Sequence, residues 1–151
     1  MLYLAADHRG FSLKEALKKY LIAEGFETQD VGAFEYDQAD DYVDFALVAS
    51  EKIAEDPSLH KGIFICGSGH GMDVVANKYK GLMASKCSDI GCAVQAREHG
   101  NSNVLTFGAD GLSFEQAKEI VKVWLETPFR GEERHVRRLK KIEEIEQQNF
   151  K

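Results

Sequence analysis

Five short apolar segments alternate with longer segments of helical periodicity along the whole chain. The predicted strands cover residues 2–6, 27–31, 62–66, 82–86 and 104–107. Short apolar strands separated by helices are typical of βαβ units, in which helices cover both faces of a parallel sheet. The sequence therefore predicts an α/β fold with three layers and a five-stranded parallel sheet, formed by residues 1–151 as one domain.

Segments with apolar residues at helical spacing fill the intervals between these strands. Capping-box sequences at Ser12–Glu15 and Ser113–Gln116 predict two helix starts, and either residue of Asp40-Asp41 is expected to cap a helix over about residues 42–55. The last predicted helix, residues 132–148, has a thin apolar stripe, formed by Val136, Leu139, Ile142 and Ile145. We expect this C-terminal helix to extend from a Rossmann-like sandwich to a partner subunit.

Charge, hydropathy and cysteine content narrow the possible partners and location. The net charge of −6 disfavours nucleic acid, and no run approaches the ~20 apolar residues that cross a bilayer. The apolar residues 1–6 are followed at once by Asp7 and lack a signal-peptide pattern, so they predict a first strand. Three irregularly spaced cysteines argue against a disulfide framework and predict a cytoplasmic protein.

The segment Ile63–Met72 joins the third predicted strand to a glycine-rich loop. The strand ends at Cys66, and Gly67, Gly69 and Gly71 alternate with other residues before a helix-compatible stretch. Parallel sheets bind ligands outside the carboxyl ends of their strands, where the free N–H groups of a following helix favour anions. Thiols near helix N-termini also lose their proton more readily than free cysteine. The segment therefore predicts a base or nucleophile beside an anion-binding backbone.

Other loop types fit this segment less well. A phosphatase loop of the form Cys-x5-Arg requires an arginine where this chain has Met72. No Gly-Lys-Ser/Thr follows, as a P-loop requires, and the glycine spacing is not that of a dinucleotide-binding loop. An inert buried thiol is the common alternative for a cysteine, and we predict that role for Cys87 and Cys92.

Two histidines accompany the loop as candidates. Asp7-His8 follows the first strand, where the alternative is a helix cap beside a surface histidine. His99 ends a helix, where its alternative role is a favourable charge at the helix C-terminus. We expect Asp7, His8, His99 and residues 108–110 to share one edge of the sheet with Cys66.

Arg134 and Arg138 lie four residues apart on the last helix, so both can reach one anion, although a solvated helix face has the same pattern. No histidine or carboxylate pair has the spacing of metal ligands. We therefore predict that the protein holds no metal.

Taken together, these motifs resemble the family of ribose-5-phosphate isomerase B and galactose-6-phosphate isomerase, which are sugar-phosphate isomerases. The matching residues cover nearly the whole chain in order. They are Asp7-His8-x-Gly10-Phe11, Asp41-Tyr42, Ile65-Cys66-Gly67-Ser68-Gly69-x-Gly71, Ala76-Asn77-Lys78, Arg97-x-His99, Asn103-Val104-Leu105, Phe107-Gly108 and Arg134-His135-x-x-Arg138.

The resemblance implies conversion between aldose and ketose phosphates through an enediol, without metal or cofactor. Cys66 is then the base, Ser68 assists it, the loop amides hold the enediolate, and His99 opens the sugar ring. The implied substrate contacts are Asp7, His8, Tyr42, Gly67, Gly69, His70, Gly71, Gly100, Arg134 and Arg138. Within this set, Asp7 and Tyr42 contact the sugar, and His8 and the two arginines bind phosphate. The family also implies a homodimer or a tetramer, with the arginines supplied by the other subunit.

Three positions depart from the family pattern. Gly100 stands where an asparagine is common, and Met83 and Asp110 stand where arginines are common. Arg9, Lys86 or Arg137 are the cations that could compensate for the exchanged charges.

The sequence predicts an isomerase of a small sugar phosphate, with ribose 5-phosphate and ribulose 5-phosphate as the first choice. The first alternative is an isomerase of the same family with a tetrose phosphate, hexose phosphate or unphosphorylated sugar as substrate. The others are a non-catalytic sugar-phosphate binding protein and a thiol hydrolase or phosphatase, against which the missing loop arginine weighs.

Overall fold

The computed structural model describes residues 1–150 and contains one parallel sheet with strand order β2-β1-β3-β5-β4. The strands are β1 Leu2–Ala6, β2 Thr28–Asp30, β3 Lys61–Cys66, β4 Ala84–Lys86 and β5 Val104–Gly108. The helices are α1 Phe11–Ala23, α2 Tyr42–Ala54, α3 His70–Ala76, α4 Ile90–Glu98, α5 Phe114–Glu126 and α6 Glu133–Asn149. The predicted order of strands and helices is confirmed.

Alternate residues of the central strands enter two separate cores, one on each face of the sheet. The first core contains Ile63, Ile65 and Phe107 and packs against α1, α4 and α5. The second contains Phe64 and Cys66 and packs against α2 and α3. The sheet is therefore buried on both sides, which gives the three layers that the apolar strands predict.

The parallel register of β3 and β5 gives the sheet two distinct ends. Gly62 pairs with Val104 near the start of both strands, and Cys66 pairs with Gly108 where both strands end. We call these the amino edge and the carboxyl edge. The chain reverses its direction of winding between β1 and β3, and such a crevice at the carboxyl edge is where ligands bind in open α/β sheets.

Only one of the predicted side-chain helix caps at residues 12, 40–41 and 113 forms. Ser113 and Gln116 make a complete capping box at the start of α5. The capping box at Ser12 is wrong, because α1 already begins at Phe11 and its first turn has no side-chain cap. Helix α2 begins after Asp41, as expected, but neither preceding aspartate caps it.

Glu15, the residue expected to complete the false capping box, belongs to a buried ion network instead. Its carboxylate accepts hydrogen bonds from Lys14 and Lys18, and both lysines also donate to Asp30 at the end of β2. The Lys14 side chain is 0% exposed, and the carboxylates of Glu15 and Asp30 pair with its ammonium group. Burial acts to raise the pKa of Asp30, but the two lysines outweigh burial and lower it.

Helix α6 buries only part of its apolar stripe in a single chain. His135 is buried in α6, and Val136 and Leu139 are half-buried, whereas Ile142 and Ile145 are exposed. Contact of this helix with a partner subunit therefore stays a prediction. Within residues 1–150, no helix combines the length and the apolar character needed to traverse a bilayer.

Candidate active site

Cys66 is the last residue of β3 and lies at the carboxyl edge with 4% of its surface exposed. Its Sγ accepts a hydrogen bond from the backbone N–H of Gly69, 3.1 Å away. Gly69 has a φ of 83°, and a side chain there would also collide with the backbone of Phe107. Only glycine therefore lets the loop fold back over the thiol.

The rest of the glycine loop is contacted by residues from other elements. The ring of Tyr42, the first residue of α2, packs so closely on Gly71 that any side chain there would meet it. Ser68 and His70 are exposed, and the Ser68 Oγ accepts the N–H of His70 at 3.3 Å. The structure thus brings Tyr42 to the loop after Cys66, which carries the predicted site residues Ser68, Gly69, His70 and Gly71.

Asp7 and His8 follow β1 at the same edge and are held by side-chain hydrogen bonds. The buried Asp7 carboxylate accepts the N–H groups of Arg9 and Gly10, which fixes the turn into α1. Asp40 accepts the backbone N–H of His8 at 3.0 Å and lies 2.6 Å from His8 Nδ1. Asp40 therefore orients the imidazole, a role that its place in the sequence did not suggest.

Asp7, His8 and Asp40 also offer ligand atoms that all lie within 4.8 Å of one another. The spacing argument missed this cluster because Asp40 is 32 residues from His8 in sequence. One Asp40 oxygen and the His8 Nδ1 are already bonded to each other. The absence of a metal stays a prediction.

Arg9 and Asp110 form an ion pair across the glycine loop. Arg9 follows β1 and Asp110 lies in the short helical turn after β5, so the pair spans the end of β3 between them. The guanidinium covers Gly67, and the N–H of Asp110 donates to the Gly67 carbonyl at 3.1 Å. Arg9, one of the three compensating cations considered above, thus neutralises the unexpected aspartate.

A cavity of about 330 Å³ opens beside this ion pair at the carboxyl edge. It is bounded by the loop after β3, the end of β4 with the residues that follow it, and the turn after β5. Its polar side chains include Ser68, His70, Lys86, Ser88 and Asp110. This volume lies at the lower end of the range for small-molecule sites.

His99 lies at the opposite edge of the sheet, so the expectation that it shares an edge with Cys66 is wrong for a single chain. It ends α4, and the backbone carbonyl of Asn103, just before β5, accepts the N–H of Gly62 near the start of β3. The four residue steps from Gly62 to Cys66 correspond to roughly 13 Å. Helix α4 runs back against the strands and therefore delivers His99 to the amino edge.

Gly100 and Met83 occupy the amino edge together. Both line a cavity of about 750 Å³, which is also bounded by Ile142 and Glu146 of α6. None of the glycine-loop residues lines this cavity. Two of the three departures from the family pattern therefore lie next to His99 and away from Cys66.

Arg134 and Arg138 are exposed on α6, and Arg134 pairs with Glu132 at 3.0 Å. Between them, His135 stacks on His99, which places both arginines on the helix that contacts the amino edge. In the sequence, His135 stood out only as part of the Arg134-His135-x-x-Arg138 motif. Its contact with His99 was not predicted.

The carboxyl edge thus carries a buried thiol, a close-packed glycine loop and a histidine held by a carboxylate. Together with the sheet order, these features form an α/β site at the carboxyl ends of parallel strands, where such folds bind small ligands. A protein-family model described as Ribose/Galactose Isomerase matches residues 2–142.

Individual relatives are similar over nearly their whole length. The chain is 36% identical over 141 residues to the probable ribose-5-phosphate isomerase B of Mycoplasma genitalium, which covers 93% of this chain and 92% of that protein. It is 35% identical over 144 residues to ribose-5-phosphate isomerase B of Mycobacterium tuberculosis, with 95% and 88% covered.

Solved structures agree with this similarity. The M. genitalium ribose-5-phosphate isomerase B with bound ribulose-5-phosphate matches with a TM-score of 0.94 and 35% identity, over 97% of this chain and 95% of that one. The Clostridium thermocellum ribose-5-phosphate isomerase B matches with a TM-score of 0.92 and 35% identity, over 97% of both chains. The chain belongs to the ribose/galactose isomerase family.

Proposed function

We propose that this protein interconverts an aldose phosphate and a ketose phosphate, and that its substrates are ribose 5-phosphate and ribulose 5-phosphate. The observation that carries the proposal is the Cys66 thiol at the carboxyl edge, which accepts the N–H of Gly69. Tyr42 packs on the same glycine loop, and Asp7 follows β1 at the same edge. The relative from M. genitalium binds ribulose-5-phosphate, and the family match extends over residues 2–142.

In this mechanism the Cys66 thiolate removes the proton from C2 of the open-chain aldose. The C2–H electron pair forms the C1–C2 double bond, and the carbonyl oxygen becomes an enediolate oxygen that the loop N–H groups stabilise. Transfer of a proton between the two oxygens and delivery of a proton from the Cys66 thiol to C1 gives the ketose. Ser68 assists Cys66 from the loop, and Asp7 and Tyr42 hold the sugar. The reaction involves no net oxidation, so it needs no external oxidant or cofactor.

The position of His99 supports a site made by two copies of the chain. His99 opens the sugar ring in this proposal, yet in one chain it lies at the amino edge, away from Cys66. In a symmetric dimer, the amino edge of each copy can face the carboxyl edge of the other. His99 of one copy then lies beside Cys66 of its partner, and symmetry makes two such sites. The partner copy then supplies four residues to the substrate, namely His99, Gly100, Arg134 and Arg138. His8 from the copy that holds Cys66 binds the phosphate together with these two arginines.

A cytoplasmic location is part of the proposal. All three cysteines are unpaired, which is usual in a reducing compartment.

The test is turnover of ribose 5-phosphate, followed by NMR in deuterated water. We expect turnover with solvent exchange of the transferred proton, and its loss by about 10³-fold or more in Cys66→Ala, because general-base catalysis alone contributes about 10²–10⁴-fold. Cys92→Ser is the matched control, since the Cys92 thiol donates to the Lys86 carbonyl and lies outside the glycine loop. Full activity of Cys66→Ala contradicts the mechanism.

A shifted substrate within the same family is the second candidate, favoured by Asp110 at the cavity and by Gly100 and Met83 at the amino edge. A panel of tetrose, pentose and hexose phosphates and free sugars distinguishes the two. Faster turnover of another sugar supports the shifted substrate, and ordinary kinetics with ribose 5-phosphate excludes it. Binding without turnover of any member indicates a sugar-phosphate binding protein.

A further inference from the structure

The Arg9–Asp110 pair occupies a specific place over the glycine loop. Its two residues follow β1 and β5, the neighbours of β3 on either side, so their side chains meet above the residue that follows Cys66. A Cβ on Gly67 would collide with the Cζ, Nε and Nη1 atoms of Arg9. The guanidinium therefore lies directly on the loop backbone.

Folding stability does not account for this arrangement. Both side chains are 52% exposed, and ion pairs with that exposure contribute little to stability. The pair engages the Nη2 end of Arg9, whereas a guanidinium has five N–H donors. The guanidinium is half-exposed, and the two residues that it contacts, Gly67 and Asp110, both line the cavity of about 330 Å³.

We propose that Arg9 binds the phosphate group of the substrate and that Asp110 positions its guanidinium. This inference rests on the proposed function, because it assigns the anion to the sugar phosphate that Cys66 acts on. Arginine suits the role because its planar fork binds phosphate with two parallel hydrogen bonds. The neighbouring His8 and the Lys86 that lines the cavity bring further positive or hydrogen-bonding groups to the same edge.

The role of Asp110 depends on Arg9. With Arg9 present, the carboxylate is neutralised and holds the guanidinium over Gly67. Without Arg9, Asp110 is an uncompensated anion at the mouth of the cavity and repels a phosphate. The two substitutions are therefore expected to be non-additive.

The experiment measures KM and kcat for ribose 5-phosphate and the inhibition constant of inorganic phosphate. We expect Arg9→Ala to raise KM and the phosphate inhibition constant by about tenfold or more and to change kcat by less than about threefold, because lost binding energy that is common to substrate and transition state appears in KM. Arg9→Lys keeps the charge without the fork and is expected to fall in between.

Asp110→Asn tests the coupling. In the wild-type background we expect KM to rise by less than about threefold, and in the Arg9→Ala background we expect KM to fall, because the unpaired anion is removed. The double variant Arg9→Ala with Asp110→Arg carries its guanidinium on the turn after β5 instead of after β1. We expect it to restore at least part of the phosphate affinity. Lys118→Ala, which breaks an ion pair with Glu115 on α5, controls for net charge.

The proposal is overturned if Arg9→Ala leaves both KM and the phosphate inhibition constant within twofold of those of Lys118→Ala, or if it lowers kcat alone. If the wild type turns over no sugar phosphate, the proposed function fails, and direct titration with inorganic phosphate then tests Arg9 by itself. Binding weakened in Arg9→Ala still supports an anion site at Arg9, and equal binding overturns it.

Discussion

His99 stacks on His135 with the ring centroids 4.4 Å apart and the ring planes inclined by 17°. His135 is 4% exposed, and its Nε2 has no hydrogen-bond partner within residues 1–150. The stack attaches α6 to the end of α4 at the amino edge of the sheet. It thereby fixes Arg134 and Arg138 near His99, so the three residues are presented together.

The stack predicts a loss of stability at mildly acidic pH. Burial, followed by the neighbouring His99 and Arg134, lowers the pKa of His135 below its usual value. As the pH falls below about 6.5, the histidine of the unfolded chain is protonated before that of the folded chain. The free energy of unfolding is therefore highest above this pH and decreases as the pH falls below it. Urea unfolding at pH 7.5 and pH 5.5, at one protein concentration, measures the loss.

The variant His135→Gln identifies the residue responsible. We expect a smaller loss of stability between the two pH values in this variant, whereas His60→Gln, at a histidine bonded to the Lys52 carbonyl, keeps the wild-type loss. An unchanged loss in His135→Gln would show that other groups cause it.

The opposite placement of Cys66 and His99 predicts complementation between inactive variants. Cys66→Ala and His99→Asn each lose activity alone, and the asparagine keeps a planar side chain against His135. When the two are unfolded and refolded together in equal amounts, half of the dimers are mixed and each has one intact site. By symmetry we expect about one quarter of the wild-type activity.

The control for complementation is each variant refolded alone. Recovery near the sum of the two residual activities would show that each site is built within one chain or that the protein does not pair in this way.

Asp40 is expected to act on substrate binding through His8. Asp40→Ala removes the acceptor for both the His8 N–H and the ring, so we expect KM to rise by about three- to tenfold, the value of about one hydrogen bond, with little change in kcat. Asp40→Asn keeps an acceptor oxygen and is expected to retain most of the affinity. Asp37→Ala, in the same segment but bonded only to the Ala39 N–H, serves as control. Equal KM values for the two alanine variants would contradict a positioning role.

The buried Lys14–Asp30 pair predicts unequal effects on stability. Asp30→Ala leaves the fully buried Lys14 without its main carboxylate, and we expect a loss of about 3 kcal/mol in the free energy of unfolding. Lys14→Met is expected to cost less, because Asp30 keeps Lys18 and methionine fills the apolar space. Glu115→Ala breaks an exposed pair and should change stability by less than about 0.5 kcal/mol. Urea unfolding gives all three values, and a larger effect of Lys14→Met than of Asp30→Ala would contradict this reasoning.

The order of strands and helices, and the thiol before a glycine loop, were predictable because each depends on residues close in sequence. Apolar runs, helical periodicity and the capping box at Ser113 are local signals, and all three predictions are confirmed. The capping box at Ser12 has the same local pattern but does not form, because α1 already begins at Phe11 and the Glu15 carboxylate is bonded to Lys14 and Lys18 instead.

The sequence by itself determined the sheet, the family and the Cys66 loop, since a strand end followed by glycines specifies its own local backbone. Only the tertiary structure decided which distant groups surround that loop. The strand order places β1 and β5 on either side of β3, which brings Arg9 to Asp110 over Gly67, and the loop before α2 brings Asp40 to His8. The direction of α4 sends His99 to the opposite edge. Contacts of this kind depend on the packing of whole elements, which no local pattern contains.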